Sequence, residues 1–88
     1  SLMRPEKLYQ TRKAGSTTWV VLCSRGCHIL GSVVTQDLWF WGHVVGQEGL
    51  LGRWPTLSKA AWAVYTNYQE EVLGTPQARF FSASKRFC

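Results

Sequence analysis

The sequence predicts an α+β domain: a three- or four-stranded antiparallel meander packed on one C-terminal α-helix, with basic N- and C-terminal arms. Three observations predict it. Between Thr17 and Trp54, β-branched and aromatic residues dominate and are cut at short intervals by turn formers, as in hairpin-connected strands. After Pro55 the spacing of apolar residues lengthens from strand-like to helical. Charge, finally, divides the chain: residues 1–16 hold Arg4, Lys7, Arg12 and Lys13 against Glu6, residues 75–88 hold Arg79, Lys85 and Arg86 with no acid, and the middle is nearly balanced. The formal charge of +5 therefore sits at the two ends.

Residues 1–16 are polar, contain Pro5 and Gly15, and follow no period, so they read as a basic arm. Ser1 and Leu2 precede the only methionine, Met3, and are expected to be an expression remnant. Residues 17–74 form the single expected domain. Its strands are placed near 17–24, 27–35, 38–45 and 50–54. Arg25-Gly26, Gln36-Asp37 and Gly46-Gln47-Glu48-Gly49 separate them, and glycine there supplies the positive backbone angles of tight hairpins.

Thr56 is the expected N-cap of a helix over 57–73, whose Leu57, Ala60, Ala61, Val64, Tyr65, Tyr68 and Val72 recur at three- and four-residue steps. Gly74 and Pro76 stop it. The tail, 75–88, contains Phe80, Phe81 and Phe87 and is expected to fold back onto the body.

Two-residue turns would pair Cys23 with His28, Trp19 with Ser32, Val34 with Trp39 and Ser32 with Trp41. One sheet face would then carry Val20, Leu22, Cys27, Ile29, Gly31, Val33, Leu38, Phe40, Gly42 and Val44, with a hollow at Gly31 and Gly42 for Tyr65 or Tyr68. This is the expected core face. The other would carry Trp19, Val21, Cys23, His28, Leu30, Ser32, Val34, Trp39, Trp41, His43 and Val45. An antiparallel sheet backed by one helix usually turns a polar face to water, and this one is apolar and tryptophan-rich.

The run "LGRWPTLSKAAWAVY" (51–65) resembles the last strand and helix of the plant ethylene-response-factor DNA-binding domain and its relatives among phage integrase arm-binding domains. In those a Leu-Gly strand, an aromatic, a Thr cap and an Ala-rich helix follow a short antiparallel sheet. The resemblance implies the same architecture, nucleic-acid binding, and a phage or mobile-element setting. Those families read the major groove with Arg and Lys spaced through the strands, whereas residues 17–54 here offer Arg25 and Arg53.

Catalysis needs a convergent set of acids, or a nucleophile with its base. The five acids are scattered, and no phosphate-cradling glycine loop is present, so no enzymatic activity is expected. Cys23, His28 and His43 would share the tryptophan face, but the spacing is a poor match to structural zinc sites, and neither metal nor cofactor is expected. Three cysteines, Cys23, Cys27 and Cys88, are an odd count, too few for a disulfide scaffold, and point to a reducing compartment. No apolar run reaches the roughly 20 residues of a membrane span, so a cytoplasmic protein without membrane association is expected.

Two functions fit these features. In the first, DNA or RNA is bound: Arg4, Lys7, Arg12, Lys13, Arg25, Arg53, Arg79, Lys85 and Arg86 engage phosphates while Trp19, Trp39 and Trp41 stack on bases. In the second, the tryptophan face buries against a protein partner or a second copy in a homodimer.

Overall fold

A computed structural model of the chain describes residues 8–72. They form a five-stranded antiparallel sheet in the order β1-β2-β3-β4-β5, with β1 at Tyr9–Lys13, β2 at Thr18–Cys23, β3 at Ile29–Gln36, β4 at Trp39–Val44 and β5 at Gly52–Trp54. One helix, α1 (Leu57–Asn67), follows and runs on into a π-helical turn, Tyr68–Val72. The α+β class and the meander thus agree with the sequence reading, with five strands rather than three or four.

The additional strand comes from the stretch read as the basic arm. Ala14 and Gly15 donate their amides to Thr18 O (2.8 and 3.2 Å), closing a turn that pairs Tyr9 with Cys23 and Lys13 with Trp19. Thr11, Arg12 and Lys13 are exposed, so this edge strand has no alternation of apolar and polar residues by which it could be recognised. The rest of the expected arms, 1–7 and 75–88, lies outside the described residues.

The register differs from the expected one in two places. At the β2–β3 turn, Cys23 N does donate to His28 O (3.0 Å), as two-residue closure requires. A bulge between Val21 and Leu22 then shifts the ladder, so that Leu22 faces Ile29 but Val21 faces Gly31 and Trp19 faces Val33. One extra residue reverses the faces of everything beyond it. Val21 and Cys23 consequently enter the core, and Ile29 is left exposed. At the β3–β4 turn, Gln36 pairs with Trp39 around Asp37 and Leu38, a slip of two that leaves faces unchanged.

The core lies between the sheet and α1: Val21, Cys23, Leu30, Val33 and Val44 pack on Ala60, Ala61 and Val64. Thr56 caps the helix as expected, its hydroxyl accepting from Lys59 N (3.1 Å). The hollow at Gly31 and Gly42 is filled by Val64 rather than by Tyr65 or Tyr68, because both glycines lie within contact distance of the valine methyls. Helix α1 ends at Asn67, short of the expected 73, where the chain passes into the π-helical turn.

Candidate functional site

Side chains alternate along a strand, so the residues of β4 and β5 that do not meet α1 form one outer surface. On β4 these are Trp39, Trp41 and His43; on β5, Arg53 stands opposite Trp41. The Arg53 guanidinium carbon lies 4.5 Å from the centre of the Trp39 ring and 5.6 Å from that of Trp41. Both distances are within range of a cation–π attraction.

The neighbouring strand holds Trp41 by its ring and Trp39 by its main chain. Trp41 donates its indole Nε1–H to Gln36 O (3.0 Å), and the Thr35 hydroxyl donates to Trp39 O (3.1 Å). His43 Nε2 lies 2.9 Å from Gln47 O, a contact that requires the proton on Nε2. The rings are half-buried, while Arg53 and Val34 beside them are exposed. The platform is therefore held in place yet open to solvent.

Alternation from the same register brings Arg12 of β1 onto this outer surface. Its Nη2 donates to Gln10 Oε1 (3.3 Å), and Gln10 Nε2 donates to Ser24 O (2.7 Å). Arg12 and Arg53 are the cations that the strands place there, and no carboxylate alternates onto the surface; Asp37 and Glu48 sit in turns. On the described strands, an anionic group approaching the indoles meets guanidinium donors and no carboxylate.

Of the other residues expected at the site, Trp19 is on the opposite side of the sheet. The bulge turns it toward the helix, where it packs on Phe40 at 5.8 Å and carries the Lys13 ammonium 5.4 Å from its ring centre. The expected row Trp19-Ser32-Trp41 therefore does not form. Arg25 lies in the β2–β3 turn, and Arg4, Lys7, Arg79, Lys85 and Arg86 lie outside the described residues.

The bulge also separates Cys23 from His43, placing them on opposite faces, so the cluster Cys23, His28 and His43 does not converge. Among the described residues no group of three or more His, Cys, Asp or Glu is placed to hold a metal ion. Cys23 is disulfide-bonded, where the odd cysteine count points away from disulfides; its Sγ also accepts the amides of Cys27 and His28 (3.2 Å each). Cys27 is free and exposed.

An aromatic cluster escaped the sequence reading. Tyr9 stacks on Tyr65 at 5.2 Å, and Trp62 closes on Tyr9 and Tyr65 at 6.2 and 5.7 Å. Trp62 and Tyr65 are a visible three-residue pair on the helix, but nothing local to Tyr9 marks it as their partner. Burial raises the Tyr9 hydroxyl above its ordinary pKa. A cleft of about 310 Å³ lined by Leu8, Tyr9, Ser58 and Trp62 adjoins it.

Among the described residues no helix is long and apolar enough to cross a membrane. No family model matches the chain, and neither a curated protein nor a solved structure matches it.

Proposed function

We propose that this chain is a small, non-enzymatic nucleic-acid-binding module whose contact surface is the outer face of β4 and β5. The observation that carries the reading is Arg53 held over Trp39 and Trp41 on a solvent-open face to which the described strands contribute no carboxylate. Stacked guanidinium and indole are the two side-chain types that bind bases and phosphates with least dependence on sequence. Arg12 extends the cationic surface, and Arg4, Lys7, Arg79, Lys85 and Arg86 add phosphate contacts from the two ends. The phage or mobile-element setting rests on the similarity of residues 51–65 to integrase arm-binding domains.

The test is a salt-titrated binding assay with labelled oligonucleotides, using the whole chain. Replacing Arg79, Lys85 and Arg86 by Gln should weaken binding and lower the slope of log affinity against log salt by roughly 0.7 to 0.9 per lost contact. Absence of affinity for any oligonucleotide at low salt overturns the reading.

A second reading, a protein-interaction or homo-oligomerisation module, is favoured by the exposed apolar residues next to the platform: Val34 is 36% and Leu38 93% accessible. Under it, Trp41→Ala dissolves a dimer or abolishes partner binding, whereas changes in the terminal charges chiefly alter association rate.

A further inference from the structure

We infer that the ligand of the Trp39–Trp41–Arg53 platform is an unpaired strand, two successive bases of which stack on the two indoles while Arg53 takes the phosphate between them. The inference rests on the nucleic-acid reading and specifies its substrate class.

Spacing is the first reason. Trp39 and Trp41 are two residues apart on β4, a stride of about 6.7 Å at the ordinary rise of a strand. Bases in a duplex follow one another at about 3.4 Å along each strand. Each ring is therefore separated from the next by about two duplex steps. In a duplex, moreover, neighbouring pairs cover the faces of each base and leave only edges in the grooves. An unpaired strand can spread its bases to the wider stride and offer a π-face to each ring.

Hydrogen-bonding capacity is the second. The indole N–H of Trp41 is already donated to Gln36 O at 3.0 Å, so this side chain has no donor left for reading a base edge. Once Arg53 turns from the ring to the phosphate, what Trp41 presents is an aromatic face in a fixed orientation, suited to stacking and indifferent to base identity. Arg53 has its guanidinium carbon 4.5 and 5.6 Å from the two ring centres, which places guanidinium N–H donors beside both indoles for a phosphate lying between the stacked bases.

Charge is the third. The strands supply this face with two cations, Arg12 and Arg53, and no anion. Double-stranded DNA presents one charge per roughly 1.7 Å of axis, twice the density of a single strand. A face on which aromatic area outweighs charge is matched to the less charged ligand.

The experiment measures fluorescence anisotropy of labelled oligothymidylate and oligouridylate of about 12 nucleotides, and of a duplex of equal length, with the whole chain between about 50 and 200 mM salt. Both single strands are expected to bind more tightly than the duplex, and their ratio identifies the preferred sugar. Trp39→Leu and Trp41→Leu, which keep apolar bulk but remove the ring, should each weaken single-strand binding roughly 5- to 150-fold with the salt slope unchanged. Trp41→Phe should restore part of the loss. Arg53→Gln should lower the slope by about 0.7. Thermal melting of each variant separates lost stacking from lost folding. Duplex binding equal to or tighter than single-strand binding, or single-strand binding indifferent to both Leu variants, overturns the inference and leaves the nucleic-acid reading in place. No binding to any of the three probes overturns both.

Discussion

Gly31 of β3 lies directly against Val64 of α1: a Cβ built on the glycine would stand 2.6 Å from Val64 Cγ1, and nearer still to the His43 carbonyl oxygen. The helix approaches the sheet as closely as it does because no side chain intervenes. Gly31→Ala should therefore destabilise the fold by about 3 kcal/mol, through overpacking against both a methyl and a backbone carbonyl. Urea denaturation measures it. Val64→Ala should recover part of the loss in the double variant, a coupling that two independent sites would not show.

Leu38 should be a site of easy stabilisation. It follows Asp37 at the β3–β4 turn with φ of 68°, after 56° at Asp37, and it is 93% exposed. A left-handed backbone costs a branched residue about 1–2 kcal/mol, and burial returns nothing here. Leu38→Gly creates the Asp-Gly pair that such turns favour and should raise stability by about 1 kcal/mol, a gain of several degrees in melting temperature for a domain this size. An unchanged or lower melting temperature would show that the tip is held by contacts the leucine itself makes.

Ala61 is 1% exposed in the middle of the helix–sheet contact. Ala61→Asp introduces a carboxylate that has no partner and no room, and should cost several kcal/mol. Circular dichroism should show the far-ultraviolet signal of the whole domain melting at lower temperature. Ala63, on the same helix but half-buried, should tolerate the same change far better.

Alkaline pH should weaken the fold through Tyr9. Burial against Tyr65 and Trp62 raises its hydroxyl above the ordinary value near 10. A raised folded-state pKa means stability that is complete below the unfolded value and lost as pH climbs through the folded one. Stability of the wild type should thus fall above about pH 10. Tyr9→Phe should remove this component of the decline, readable by denaturant midpoints across that range.

The existence of the central hairpins, though not their register, the N-cap at Thr56 and the glycine hollow, though not the Val64 that fills it, were legible because each has a local signature: alternation, a capping hydroxyl, a missing side chain. What stayed hidden depends on events without one. The bulge that lies opposite Val21 and Leu22 leaves Leu30 as one extra residue in the β3 side of the ladder, and no residue type at 21, 22 or 30 demands it; its consequence is to move Trp19 away from Trp41. Strand β1 is an edge, so its polar residues look like those of an unstructured arm. At the candidate site, Arg53, Trp39 and Trp41 were each identifiable as residue types, but their stacking depends on how many residues the β4–β5 loop takes up. Here Gly46 and Gly49, both at positive φ, let that loop close so that Leu51 N reaches Gly42 O at 2.7 Å, which brings Arg53 opposite Trp41.

The strand order has a kinetic consequence. Among the described residues every strand pairs with its neighbour in sequence, so none of these ladders has to wait for a distant segment to arrive, and the entropy lost in closing each connection is small. Low average separation of contacting residues goes with fast folding. Trp39, Trp41 and Arg53 belong to a single hairpin, β4–β5, whose elementary closure takes on the order of microseconds. The Trp39–Trp41–Arg53 surface can thus assemble within one hairpin before the helix has docked, and in a stopped-flow experiment the indole signal from this face should change no later than the helical signal of α1.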